Sequence, residues 1–152
     1  MTAAPSENIH ATALVCGDTG LLLRGPSGSG KSALALGLID RLRHAGQFAA
    51  LVADDRVLVG ADAGRLLARA PEPIRGLAEL RGYGIVSVPT VSRAVIDIVA
   101  DLNGGERMPD PATVELAGVT CRLLRLPAGE VEAAMRIIVA ALGQPPVGHA
   151  PI

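Results

Sequence analysis

Lysine is almost missing from this chain. Of 14 Lys and Arg residues, thirteen are arginine and one, Lys31, is lysine. Aromatic side chains are nearly as scarce: Phe48, Tyr83 and no tryptophan. The core must therefore be aliphatic, and stacking platforms for single-stranded nucleic acid are not expected. A net charge of −1 gives no basic field to attract DNA, RNA or an anionic membrane. The two cysteines, Cys16 and Cys121, lie far apart without metal-ligand spacing. They are expected as small buried hydrophobes in a reducing compartment. No apolar run reaches membrane-spanning length, and Met1–Glu7 lacks a signal-peptide pattern, so a cytoplasmic location is expected.

The one lysine sits in Gly25-Pro26-Ser27-Gly28-Ser29-Gly30-Lys31-Ser32, which fits the phosphate-binding pattern G-x-x-x-x-G-K-[ST]. In that pattern backbone N–H groups face phosphate oxygens, a compact ammonium reaches between β- and γ-phosphates, and the final hydroxyl meets Mg²⁺. Arginine, a planar fork, is a poor substitute for such a point charge. The chain has 18 glycines, so two at the right spacing say little alone. The context says more. Gly20–Leu23 reads as a short buried strand, and Ser32–Leu42 as a helix with apolar positions 34, 35, 38, 39 and 42. Strand, glycine loop and helix together aim a helix N-terminus at an anion.

The remaining pattern is strand-rich. Strands are expected over Ile9–Val15, Phe48–Ala53, Ile85–Val88 and Ala94–Ala100. Hairpins are expected over Ala61–Gly64 and Ala117–Gly118, a short helix over Ile74–Leu80, and a closing helix over Val131–Leu142. Gly46 is a natural helix stop. The fold class is thus α/β: one strand-rich P-loop domain over residues 9–142 with two main helices, and flexible ends at 1–8 and 143–152. This is not the regular βαβ alternation of an ordinary nucleotide kinase.

Several residues are candidates for chemistry, each with a plainer alternative. Asp54 and Asp55 close an apolar strand, where carboxylates hold Mg²⁺ or take a proton from an attacking hydroxyl, though Asp is also a common turn former. Adjacent strand residues point to opposite faces, so one is expected at the nucleotide and the other in a structural role. Glu79 and Arg81, beside Gly82 and Gly84, suit a metal and phosphate site, or are simply solvated. Arg107 lies in a glycine-rich loop, where cations either cover phosphates or face water. His10, mid-strand, is either packed or catalytic.

Three blocks, in order, resemble one family. His10 through Ser32, Leu51-Val52-Ala53-Asp54-Asp55, and Ile74 through Val86 with its Leu77-Ala78-Glu79-Leu80-Arg81-Gly82-Tyr83-Gly84 core resemble the catalytic domain of the bacterial HPr kinase/phosphorylase. The resemblance implies a core related to phosphoenolpyruvate carboxykinase. It implies an ATP- and Mg²⁺-dependent serine kinase acting on the phosphocarrier protein HPr, with possible assembly into hexamers. It implies His10 as the active-site histidine, Lys31 and Ser32 as phosphate and Mg²⁺ contacts, and Asp55 as the proton acceptor. Glu79 is implied as a second metal ligand, and Arg81 and Arg107 as active-site arginines; from the residues themselves Asp54 is also expected at the metal, with Asp55 the alternative. A short form without the family's regulatory domain is expected. The family's R-P-G-R-N segment corresponds to Arg125-Leu126-Pro127-Ala128-Gly129-Glu130, which lacks the second Arg and the Asn. Weak or absent phosphorylase activity is therefore expected. A small-molecule P-loop kinase and a non-catalytic nucleotide-sensing module are the alternatives.

Overall fold

A computed structural model of the chain describes residues 6–72, 76–80, 82–103 and 112–143, with the backbone alone at 79 and 80. Its framework is one long strand, β1 (Glu7–Cys16), ten residues of mostly apolar character. The C-terminal half of β1 pairs antiparallel with β2 (Thr19–Arg24) on one side and β3 (Ala49–Ala53) on the other. Its N-terminal half pairs instead with β4 (Arg56–Asp62), register Glu7 to Val59 through His10 to Arg56. β4 continues through β5 (Arg65–Arg69) to β8 (Arg93–Ile96). Beyond β2, a parallel neighbour β9 (Ile98–Asp101) leads to β11 (Val119–Arg125) and its hairpin partner β10 (Ala112–Leu116).

The apolar residues sort into two cores by strand parity. Leu21 and Leu23 of β2 face α1 (Lys31–His44) and α2 (Val131–Gly143), packing with Leu34, Leu38, Met135 and Ile138. Leu22 points the other way, into a second core with Val57, Val59, Leu66, Ile96 and Val99. A strand buried on both faces has no polar side to show, which is why β2 reads as an unbroken leucine run. Cys16 and Cys121 are buried as expected, and burial pushes the Cys16 thiol up to about 12.

The expectations for the two main helices hold. The buried positions of α1 include Leu34, Ala35, Leu38, Ile39 and Leu42. It stops at Gly46, whose φ of 78° is left-handed. The Gln47 N–H donates to the Leu42 carbonyl and the Gly46 N–H to the Arg43 carbonyl, at 2.9 and 3.0 Å, closing a Schellman motif.

Two expectations fail. The short helix over Ile74–Leu80 is not formed where the structure describes it: Leu77–Leu80 is a strand, β6, paired with β7 (Gly84–Ser87). Gly76, at φ 75°, holds a left-handed turn that no right-handed helix continues, and Ala78 is drawn into the core. The hairpin leaves Leu77, Tyr83 and Ile85 exposed. The single strand over Ala94–Ala100 is broken at Asp97 into β8 and β9, which belong to opposite layers. The Asp97 carboxylate and N–H bond the N–H and carbonyl of Gly20, at 2.9 Å each. The crossing is so close that a Cβ on Gly20 would overlap the Val95 carbonyl oxygen.

A second tie lies at the C-terminal ends of β2 and β9. Arg24 and Asp101 are register partners, and the guanidinium grips the carboxylate through two bonds of 2.7 and 3.0 Å. Both side chains are largely shielded, at 28% and 17% exposure.

Gly20→Ala is expected to cost about 3 kcal/mol, because backbone rather than a movable side chain meets the new methyl. A urea unfolding midpoint no lower than wild type contradicts this close approach. Arg24→Ala is expected to cost about 2 kcal/mol by stranding Asp101, while Arg24→Met with Asp101→Leu recovers most of it. Thermal melts of the three proteins check the pair.

Candidate active site

The phosphate loop runs from the end of β2 to the start of α1, and its backbone is shaped by glycine. Gly28 and Gly30 have φ of 82° and 100°, which a side chain would strain. Gly30 is the residue before the first turn of α1. Gly30–Ala33 of that turn line a cavity, and the N–H groups of a helix start suit an anion. The loop's rear is packed: a Cβ on Gly25 would crowd Ser29 Oγ and the Leu102 carbonyl oxygen, and Val131 lies behind Gly30. The Gly129 N–H donates to the Ser29 carbonyl at 3.2 Å. This places the Arg125–Glu130 stretch, singled out by its missing Arg and Asn, against the phosphate loop.

Lys31 Nζ donates to the carbonyls of Gly25 and Pro26 at 2.8 and 3.1 Å. Its side chain is buried, and desolvation pulls the ammonium below its ordinary pKa, while the charges of Asp55 and then Asp54 pull the other way. Two carboxylates therefore offset part of the cost of sheltering this cation.

Opposite the loop, β3 ends at Ala53 and presents both aspartates. Asp54 Oδ1 accepts from Ser32 Oγ at 2.7 Å and from Thr12 Oγ1 at 2.9 Å. Asp55 Oδ1 lies 2.8 Å from His10 Nε2. The expectation that one aspartate faces the nucleotide and the other turns away is thus corrected. Both line the same cavity, because Asp55 adopts φ 70° and breaks the alternation of a strand. Asp55 remains 72% exposed, open to a group arriving from solvent.

The cavity measures about 500 Å³ and is bounded by His10, Ser27–Gly28, Gly30–Ala33, Leu36, Asp54 and Asp55. It brings together five residues from three separated segments: His10, Lys31 and Ser32, Asp54 and Asp55. A larger groove of about 660 Å³ between α1 and β7 shares Ala33 and Leu36 with it but carries no phosphate-loop glycine. Arg81 and Arg107 lie outside the described residues, as does the side chain of Glu79, whose backbone pairs with Ile85 in the β6–β7 hairpin. Thr12, Arg24 and Asp101 were not singled out by sequence. Thr12 carried one readable signal, a lone hydroxyl in an otherwise apolar half-strand. The others depend on register.

Such an arrangement can hold an anion at a helix start, with one ammonium beside it and an accessible carboxylate lining the same cavity. That is the equipment of phosphoryl transfer. The comparisons agree. The family model described as HPr Serine kinase C-terminal domain matches residues 1–96. The HPr kinase/phosphorylase of Limosilactobacillus reuteri (strain DSM 20016) is 39% identical over 89 residues, 58% of this chain and 26% of the relative. That of Lactobacillus acidophilus is 37% identical over 107 residues, 65% of this chain and 31% of the relative. The matched segments thus span about a quarter to a third of those curated relatives. The structure of the HPr(Ser) kinase/phosphatase from Coxiella burnetii superposes with a TM-score of 0.73 at 25% identity, covering 90% of this chain and 88% of that one. With the phosphate loop, its facing carboxylates and the matched residues in agreement, this chain belongs to the HPr Serine kinase C-terminal domain family.

Proposed function

We propose that this domain transfers the γ-phosphoryl group of ATP to a seryl hydroxyl of the phosphocarrier protein HPr. The observation that carries the reading is that Lys31 and the loop glycines line one cavity with the accessible Asp55–His10 pair. In this reading the loop from Gly25 to Ser32 wraps the phosphates, and Lys31 exchanges its bonds to Gly25 and Pro26 for phosphate oxygens. Asp55 accepts the proton as the seryl oxygen bonds phosphorus and the bond to ADP breaks. His10 holds the Asp55 carboxylate in place from β1.

The donor set fits a magnesium–nucleotide complex. Ser32 Oγ and Asp54 Oδ1 are hard oxygen donors already in contact at 2.7 Å. Mg²⁺ favours one or two protein oxygens together with substrate phosphates. Bound there, the ion would neutralise charge on the transferring phosphoryl group. Asp54 and Ser32 would hold it, with Glu79 as a further ligand, and Arg81 and Arg107 would serve the phosphates. Residues 9–142 form the catalytic unit of the proposal. The incomplete match of Arg125–Glu130 favours little or no phosphorylase activity. On α2, Ile137 and Val139 are exposed apolar positions that self-association would use. A cytoplasmic site of action accords with an HPr substrate.

Incubation with HPr and ATP·Mg²⁺ is expected to yield acid-stable phosphoserine. Lys31→Ala is expected to lower the rate by about 10²–10³-fold, and Asp55→Asn by about 10²–10⁴-fold. Transfer by Lys31→Ala at the wild-type rate rules out the proposal. Nucleotide binding without transfer to any protein or small molecule points instead to a sensing module.

A further inference from the structure

Asp54 is held from two directions. Ser32, on the first turn of α1, reaches its Oδ1 from the cavity side, and Thr12, on β1, reaches the same oxygen from within the protein. The two hydroxyls differ in what else they can do. Ser32 lines the cavity, whereas Thr12 is fully buried and is not part of the cavity wall. Thr12 therefore touches neither nucleotide nor acceptor.

The surroundings of Thr12 are apolar. Ala11, Ala13 and Leu14 flank it with no exposure, and its register partner across the sheet is the equally buried Leu23. A hydroxyl in such a place costs stability unless it is bonded, and valine would fit the same volume without that cost. Its bond goes to the Asp54 carboxylate rather than to a backbone carbonyl of its own strand. Among the described residues no side chain donates to the other oxygen, Asp54 Oδ2. With Oδ1 fixed by donors on β1 and α1, rotation of the carboxylate about its own axis is prevented, and the orientation of Oδ2 is set as well.

We propose that Thr12 is a positioning residue for the metal–nucleotide complex: its buried hydroxyl fixes the Asp54 carboxylate so that Asp54 and Ser32 present their oxygens together. This rests on the kinase reading in assigning Asp54 and Ser32 to the metal, and goes beyond it by adding a residue that contacts no ligand. Hydrogen-bond partners of metal-binding groups of this kind typically change metal affinity or activity by about 10- to 100-fold when removed.

The test measures binding, without an acceptor protein. Fluorescent mant-ATP is titrated into the full chain at a series of Mg²⁺ concentrations. Thr12→Val is expected to raise the Mg²⁺ concentration for half-maximal binding by about tenfold, to leave Mg²⁺-free mant-ATP affinity unchanged, and to melt no earlier than wild type. Thr12→Ser is expected to restore the wild-type Mg²⁺ response. In an Asp54→Asn background Thr12→Val is expected to have no further effect on that response. Should Thr12→Val not fold, Thr12→Cys, a weaker donor, is titrated in its place and is expected to show the same rise. A wild-type Mg²⁺ response in Thr12→Val, an equal loss of Mg²⁺-free affinity, or a Thr12→Ser protein as impaired as the valine variant overturns the role of Thr12 and leaves the kinase reading standing. Absence of mant-ATP binding by wild type overturns both.

Discussion

One strand serves two sheets, and the site follows from that constraint. β1 has its C-terminal half in the layer under the helices and its N-terminal half in the layer behind. At the crossover, β3 must leave its side and β4 must take its place. The chain makes that exchange in a single step at Asp54-Asp55, where the Arg56 N–H bonds the Asp54 carbonyl at 2.8 Å and Asp55 turns to a left-handed backbone. The carboxylates are thus concentrated where the architecture needs a sharp turn. Residues of β1 on either side of the crossover, His10 and Thr12, are brought against them.

The other half of the site comes from the loop between β2 and α1. Its position is set by β2, which is the neighbour of β1, and by Arg24–Asp101, which clamps β2 to β9 just before the loop begins. The glycines give the loop its curvature, and the packed rear, from Leu102 to Val131, limits how far it can move away from the sheet. Structural and chemical demands meet in the same few residues. Asp55 carries backbone strain of a kind that non-glycine residues sustain where the surroundings enforce it, commonly at functional sites.

How much of this was readable from sequence depends on whether the information is local. The strand–glycine loop–helix order, the buried positions of α1 and its Gly46 stop are local patterns of spacing, and each is found in the structure. The family resemblance, carried by three short blocks, is borne out by the family model and the Coxiella burnetii structure. Failures occur where a distant partner decides. Ala94–Ala100 has the composition of one strand, yet Asp97 is held by Gly20, 77 positions earlier in the chain. Leu77–Leu80 contains good helix formers, but pairing with β7 and the turn at Gly76 override that propensity. Asp54 and Asp55 were candidates from sequence and both line the cavity, but the alternation rule assigned them opposite directions because it presumes a strand that continues. Thr12 and the Arg24–Asp101 clamp depend on strand register, which one sequence does not display.

The aliphatic interior has an optical consequence. With no tryptophan and a single tyrosine, the ultraviolet emission of this protein originates almost entirely at Tyr83, which is 79% exposed beside the β6–β7 hairpin. The two cores of leucine, valine, isoleucine and alanine are dark. Intrinsic fluorescence therefore reports the surroundings of one ring at the rim of the molecule, and a rearrangement of the interior is followed better by backbone signals such as far-ultraviolet circular dichroism.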